Sequence, residues 1–200
     1  MIIGRPVEFD RAVALGQAKR LFWRKGYANT SLTDLLAAMK LSKSSFYQAF
    51  QSKHDIFEKS IELYLKERTK MMRAELKSSP SGYAFIAKML YSVAEHSNVE
   101  NSTIKEYRIG CLVMNTACEF GQSDYAVAQA VRISMEAFKQ VFKDAVILSQ
   151  LQGDIPSDKD PDSLAGFLVS SMSGLTTASK AGADDVSLKS IADVTLSALK

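Results

Sequence analysis

Residues 30–53, TSLTDLLAAMKLSKSSFYQAFQSK, decide how the chain around them is read. The spacing predicts two short helices joined by a tight turn. The first is apolar at Leu32, Leu35 and Leu36. Ser31 and Asp34 form the S-x-x-D pattern of a capping box, and Asp34 suits the positive end of the helix dipole. The turn falls near residues 39–42. Ser42 caps a second helix that runs to about Ala49, polar at its start and aromatic at Phe46, Tyr47 and Phe50. Leu32, Leu35, Leu36, Leu41, Phe46 and Phe50 can share a core with Phe22. That leaves Lys43, Ser44, Ser45, Tyr47 and Gln48 facing outward. A helix-turn-helix needs this division: one helix braces while the other enters the major groove. Lys43 can donate to guanine O6/N7 or to a phosphate. Ser42, Ser44, Ser45 and Gln48 can hydrogen-bond base edges or phosphates, and Tyr47 can place its hydroxyl on a phosphate. Thr30 and Ser31 sit at a helix N-terminus, where phosphate binding is natural. Lys53 opens the next helix beside the DNA backbone. The same residues also describe a capped amphipathic helix on a bundle surface, and the physics of the stretch alone leaves both readings open.

Outward from this stretch, helical spacing recurs and strand signals are weak, so the chain reads as all-α. Upstream, residues 1–8 read as an arm. Asp10 is an N-cap candidate, Ala14, Ala18, Leu21 and Phe22 form a stripe, and Gly26 is a stop. Downstream, a long helix runs from Lys53 to about Lys77, with Ile56, Phe57, Ile61, Tyr64, Leu65 and Met71 apolar. Further helices are predicted over about 83–96, 109–120, 123–151, 162–181 and 186–199. The total is nine, three in a head and six in a body. The head is basic: residues 1–55 hold nine Lys/Arg and four Asp/Glu, while residues 56–200 hold sixteen and eighteen. This distribution, more than the net charge of +3, points the head at a polyanion.

Other classes lack signals. Cys111 and Cys118 do not make a disulfide framework. No apolar run reaches the roughly 18 residues of a membrane span, and the N-terminus has no signal-peptide core. A cytoplasmic, reduced setting and no membrane partner are expected. His54 and His96 are far apart, and no metal-site spacing is present. There is no Gly-rich phosphate loop, nucleophile elbow or convincing carboxylate pair, so no catalytic residue, metal or cofactor is expected. An α-helical enzyme using a body cavity and a non-specific DNA-organising protein are the competing readings.

The run GRP…FD followed by LFWRKGYANTSLTDLLAAMKLSKSSFYQAFQSKHDIF resembles the TetR/AcrR family of one-component transcriptional repressors. Gly26, Tyr27, Thr30, Ser31, Ser42, Lys43, Ser45, Tyr47, Phe50 and Lys53 carry the match. The resemblance implies a DNA-binding domain over residues 1–53 and a ligand-sensing and dimerisation domain over residues 54–200. It implies a homodimer on a palindromic double-stranded operator, released by a small-molecule inducer or electrophile. Arg5 on the arm would enter the minor groove. One position departs: family members usually place glycine in the turn, where this chain has Lys40. A left-handed lysine costs about 1–2 kcal/mol, and its charge suits a phosphate.

In the body, RIGCLVMNTACEFGQSD (residues 108–124) resembles the ligand-domain helix of a subgroup that includes NemR-like electrophile sensors. That resemblance marks Cys111 as a reactive thiol. Within one helix Cys111, Asn115, Cys118 and Glu119 would share a face. Met89, Met114 and Phe138 are candidates to line an apolar cavity, with His96 and Glu119 as polar anchors; simple core packing is the alternative for each. Leu164, Phe167, Leu168, Ser171, Met172 and Leu175 form a stripe faced by Leu188, Ile191 and Thr195. Small residues beside it allow close approach. The family resemblance implies that these last two helices form a two-fold four-helix bundle.

Overall fold

A computed structural model of the chain describes residues 9–95 and 109–200. Nine α-helices and no strand lie among them: α1 (Arg11–Lys25), α2 (Leu32–Met39), α3 (Lys43–Ala49), α4 (Lys53–Ser78), α5 (Gly82–Glu95), α6 (Leu112–Phe120), α7 (Tyr125–Leu151), α8 (Pro161–Lys180) and α9 (Asp185–Ser197). The all-α expectation holds, with boundaries within a turn of those read from spacing. The N-terminal arm with Arg5, and His96 with the predicted loop after it, lie outside the described residues.

Packing divides the chain into two units, Met1–Tyr64 and Leu65–Lys200, so the first turns of α4 belong with the head. The motif boundary after Lys53 falls at the start of α4. Packing carries further because Ile56, Phe57, Ile61 and Tyr64 are buried. Phe57 meets Phe22 edge-on with ring centroids 4.9 Å apart, and Tyr64 meets Trp23 at 5.1 Å. Ala14, Ala18 and Phe22 of α1 complete this core with Leu35, Met39, Phe46 and Phe50.

The ends of the head's helices are set by local chemistry. The Asp10 carboxylate accepts from the N–H groups of Ala12 and Val13. Gly26, at φ 78°, closes α1 with its N–H on the Phe22 carbonyl at 2.8 Å. The capping box of α2 is complete. Ser31 Oγ accepts from the Asp34 N–H at 3.1 Å, and the Ser31 N–H donates to Asp34 Oδ2 at 2.9 Å. Lys25 Nζ lies 3.1 Å from the other carboxylate oxygen. The Ser31 backbone hydrogen bond, then the Ser31 hydroxyl and Lys25, hold the Asp34 pKa down at about 2.

In the second unit α7 packs on α5, α6 and α8, and α9 packs on α5 and α8. Phe85, Ile86 and Leu90 of α5 and Phe138, Val141, Phe142 and Val146 of α7 are buried, with the Phe85 and Phe142 ring centroids 6.1 Å apart, and Leu168, Leu175, Leu188 and Leu196 are buried with them. Gly82 marks a close approach of α5 to α7. A Cβ there would lie 2.1 Å from the Ala145 carbonyl oxygen, so only glycine fits. Gln152 fastens the same point by accepting the Gly82 N–H at 3.1 Å. Asp160 caps α8, and Asp162 receives Lys139 and Lys143 from α7 at 2.5 and 3.1 Å. One position assigned to an apolar face is exposed instead: Met71 on α4. A helix stripe wider than its partner leaves such edge positions in water.

The depressed Asp34 pKa has a sign. A carboxylate whose folded pKa lies below its unfolded value adds stability above the unfolded pKa and loses it as pH falls through the folded one. The melting-temperature difference between wild type and Asp34→Asn should therefore be full above about pH 4 and shrink as pH drops toward about 2. Paired thermal melts across that range measure it. A difference that does not change with pH would show that the carboxylate charge is not what caps α2.

Candidate nucleic-acid interface

The recognition candidate, α3, is only seven residues long. Its start is held by Ser42, whose Oγ accepts the Ser45 N–H at 3.1 Å and shares a 2.9 Å hydrogen bond with the Ser45 hydroxyl. Its back is held by Phe46 and Phe50, which are fully buried, with ring centroids 5.7 Å apart. The opposite face carries Lys43, Ser44, Tyr47 and Gln48, all exposed, with Ser45 half-buried at its edge. The Tyr47 ring stands edge-on to Phe46 at 5.3 Å, so the buried ring supports the exposed one. A lysine, a serine, a phenol and an amide thus project together from a braced helix. They offer donors and acceptors suited to base edges and phosphate oxygens.

Three other head residues from the sequence reading are placed more specifically. Thr30 is fully buried, and its hydroxyl donates to the Gly26 carbonyl at 2.6 Å. It locks the corner between α1 and α2 and offers nothing to a phosphate. Its assignment to the contact set is corrected on that ground: the side chain had an unmet carbonyl within reach. Ser31 is exposed, but the Asp34 carboxylate already fills the anion position at the start of α2. Lys53 is half-buried with its Nζ 4.1 Å from the Tyr27 ring centroid, a cation–π contact that ties the start of α4 to the end of α1. Between α2 and α3, Lys40 adopts φ 54° and ψ 42°. It is the positive-φ non-glycine among the described residues, as the missing turn glycine predicted.

In the body, the structure separates residues that the sequence grouped. Cys111 is the N-cap of α6 rather than a member of it, so it does not share a helix face with Asn115, Cys118 and Glu119. Cys111 is half-buried, and Cys118 and Glu119 are exposed. Asn115 is a strap: its Nδ2 donates to the Ile109 carbonyl at 2.7 Å, and its Oδ1 accepts from Lys180 Nζ at 2.7 Å. Gly110, at φ 76°, passes beneath both side chains. Met89 and Phe138 are buried in the core and Met114 is half-buried. A separate cleft of about 450 Å³ opens between α5 and α9, lined by Tyr91, Ala94, Glu95, Asp185 and Lys189. Beside it the Tyr91 hydroxyl donates to the Asp193 carboxylate, which raises the Tyr91 pKa. None of these residues was singled out from the sequence. They meet across about a hundred residues of chain, and no local spacing signals that.

The stripe on α8 and α9 has two sides. Leu168, Leu175, Leu188 and Thr195 are buried within the chain's own core. Phe167 and Ile191 are about 40% exposed, Val194 is 65% exposed, and Leu164, Ser171 and Met172 are half-buried. Ser170 and Gly174 open the surface between them. Among the described residues no group of His, Cys, Asp or Glu is arranged to hold a metal ion, and no helix is long and apolar enough to cross a membrane.

Residues 14–59 match the family model described as bacterial regulatory proteins, tetR family. Residues 94–194 match the tetracyclin repressor-like C-terminal domain. The chain is 27% identical over 194 residues to the HTH-type transcriptional repressor ComR of Escherichia coli (strain K12), covering 96% of this chain and 90% of that one. It is 26% identical over 157 residues to the HTH-type transcriptional repressor DhaR of Mycobacterium sp. (strain GP1), covering 78% and 74%. Among solved structures, it superposes with a TM-score of 0.83 at 28% identity on a cysteine mutant of the TetR family transcriptional regulator CifR, complexed with 26-base-pair double-strand operator DNA. The coverage is 98% of this chain and 100% of that one. The reduced form of E. coli NemR shares the fold, with a TM-score of 0.82 at 16% identity over 92% and 94%. With both halves of the chain matched and the helix-turn-helix in place, the protein belongs to the TetR family of transcriptional regulators.

Proposed function

We propose that this chain is a homodimeric repressor that reads a palindromic operator with α3 and leaves it when the body binds an inducer. The observation that carries this reading is the exposed face of Lys43, Ser44, Tyr47 and Gln48 on a helix fixed from behind by Phe46 and Phe50. Ser31, Ser42, Ser45 and Lys53 flank that face, and Arg5 is assigned to the minor groove. ComR and DhaR bear the name repressor, and CifR was solved on its operator. The head over residues 1–53 reads DNA; residues 54–200 sense and dimerise. α4 belongs to both units and is the continuous element along which a change in the body reaches the head. An inducer works only through different affinities for the DNA-bound and released states.

Dimerisation is assigned to the outer side of α8 and α9. Phe167, Ile191 and Val194 form an apolar surface edged by small residues, as a two-fold contact requires. Sensing is assigned to the body around α6, with Cys111 as the thiol that meets an electrophile. Cys111 stands at the head of α6, in a segment clamped by Asn115 and Lys180, so modification there displaces a fastened backbone. Met114, Cys118 and Glu119 lie on the same short helix. Met89 and Phe138 belong to the core it covers, and His96 remains assigned as a polar anchor.

Four measurements test the parts separately. Random-library selection on the purified protein should return a palindromic duplex bound in a salt-sensitive manner, and no selected sequence at all would end the repressor reading. On that duplex Lys43→Ala should weaken binding by about 1–3 kcal/mol; unchanged affinity removes Lys43 from the contact set. Phe167→Glu combined with Ile191→Glu should convert the dimer to a folded monomer in sedimentation. A dimer that persists places the interface elsewhere. Wild-type protein should release the duplex on treatment with an electrophile such as N-ethylmaleimide, and Cys111→Ser should hold it; a Cys111→Ser protein that still releases normally excludes this thiol.

A further inference from the structure

Lys40 combines two features that are seldom found together: a strained backbone and a side chain with no work to do inside the fold. Its φ of 54° and ψ of 42° lie in the left-handed region, where glycine is comfortable and a lysine is not. The turn cannot relax. The Lys40 N–H donates to the Ala37 carbonyl at 3.3 Å and the Leu41 N–H to the Leu36 carbonyl at 3.0 Å. Met39 on one side is buried and Leu41 on the other is half-buried. The side chain is therefore fixed at its root and exposed along its length.

The neighbouring cations sharpen the contrast. Lys25 pairs with Asp34, Lys59 pairs with Asp55, Lys53 lies over Tyr27, and Arg11 lies over Phe50 at 5.3 Å. The side chains of Lys40 and Lys43, three residues apart on either side of Ser42, have no ion pair, hydrogen bond or ring contact among the described residues. Arg20 and Arg24 on α1 are exposed as well; what sets Lys40 and Lys43 apart is their place, in the turn before α3 and at its first residue, beside its exposed face. The turn demands the left-handed backbone; a lysine in place of a glycine there, at a cost folding does not repay, points to a partner.

We infer that Lys40 is a DNA-backbone contact: it holds a phosphate oxygen next to the groove that α3 reads, setting the register in which Lys43 and Gln48 meet the bases. The inference rests on the repressor reading. Lys40 carries affinity and salt dependence but no base preference, whereas Lys43 lies on the reading face itself.

The test uses the full-length dimer and the duplex selected on the wild-type protein. Lys40→Gly removes the charge and relieves the strain. Lys40→Asn removes the charge with a residue that tolerates left-handed backbone, and Lys40→Arg keeps the charge. Lys40→Gly should melt no lower than wild type yet bind about three- to tenfold more weakly at low salt, with the slope of log affinity against log salt reduced by about 0.9 per half-site. Lys40→Asn should share the loss, Lys40→Arg should retain the wild-type slope, and the preferred sequence should stay the same in all three. Wild-type affinity and slope in both Lys40→Gly and Lys40→Asn would overturn the assignment. So would an equal loss in Lys40→Arg, which would point to the shape of the turn instead of its charge. Absence of salt-sensitive specific binding by the wild-type protein would instead fail the repressor reading on which the assignment stands.

Discussion

A seven-residue helix has almost no stability of its own in water, because nucleation is costly and isolated helices become marginal below about 12–15 residues. α3 exists because Phe46 and Phe50 are driven into the aromatic core of the head, each side chain contributing on the order of 1.5–3 kcal/mol by burial. Ser42 supplies the start that the helix cannot make for itself. This dependence explains how the outward face can be composed freely. Everything that holds α3 in place lies behind it or before it. Lys43, Ser44, Tyr47 and Gln48 carry no structural duty and are available to a partner.

The same economy runs through the rest of the head. Thr30 and Tyr27 belong to the pattern by which a DNA-binding head is recognised, yet both act inward. Thr30 closes the α1–α2 corner, and Tyr27 packs on Phe22 and Phe57 while receiving Lys53. A motif of this kind mixes residues that build the reader with residues that read. Burial separates the two groups, and the exposed remainder is small. The capping carboxylate of Asp34 adds a constraint: it occupies the N-terminus of α2, so an approaching phosphate meets a carboxylate there rather than open N–H groups.

Much of this was legible in the sequence because the deciding signals are local. Capping pairs lie three residues apart, helix stripes repeat every three or four, and the lack of a turn glycine forces a left-handed residue at Lys40. The caps and stripes follow from spacing and the Lys40 turn from the departure from the family pattern, and all appear in the structure. What was not legible depends on contacts between distant segments. α8 and α9 each have two apolar sides, and periodicity cannot say which side meets α5 and α7. Leu168 and Leu188 therefore looked like Phe167 and Ile191 until packing separated them. Cys111 was read as a helix residue because the apolar pattern continues through it. α6 instead begins one residue later, at Leu112, beside Gly110 and the Asn115–Lys180 strap, a contact spanning sixty-five positions.

The two halves of the chain differ in how tightly their parts are specified, and that difference suits a switch. In the head, caps, ring contacts and a strained turn fix each backbone segment, so α3 presents one geometry. In the body, the long helices meet along wide apolar faces with a few polar fastenings: Gln152 at Gly82, Asp162 between Lys139 and Lys143, and Lys180 on Asn115. Apolar faces can slide or rotate by small amounts without losing much contact, whereas a hydrogen-bonded fastening is either made or broken. On the proposed reading, a ligand or a modified thiol that breaks one fastening selects between discrete arrangements of the body. On the proposed repressor reading, the head needs no internal change to lose its operator: a shift in the spacing of two otherwise unaltered recognition helices is enough.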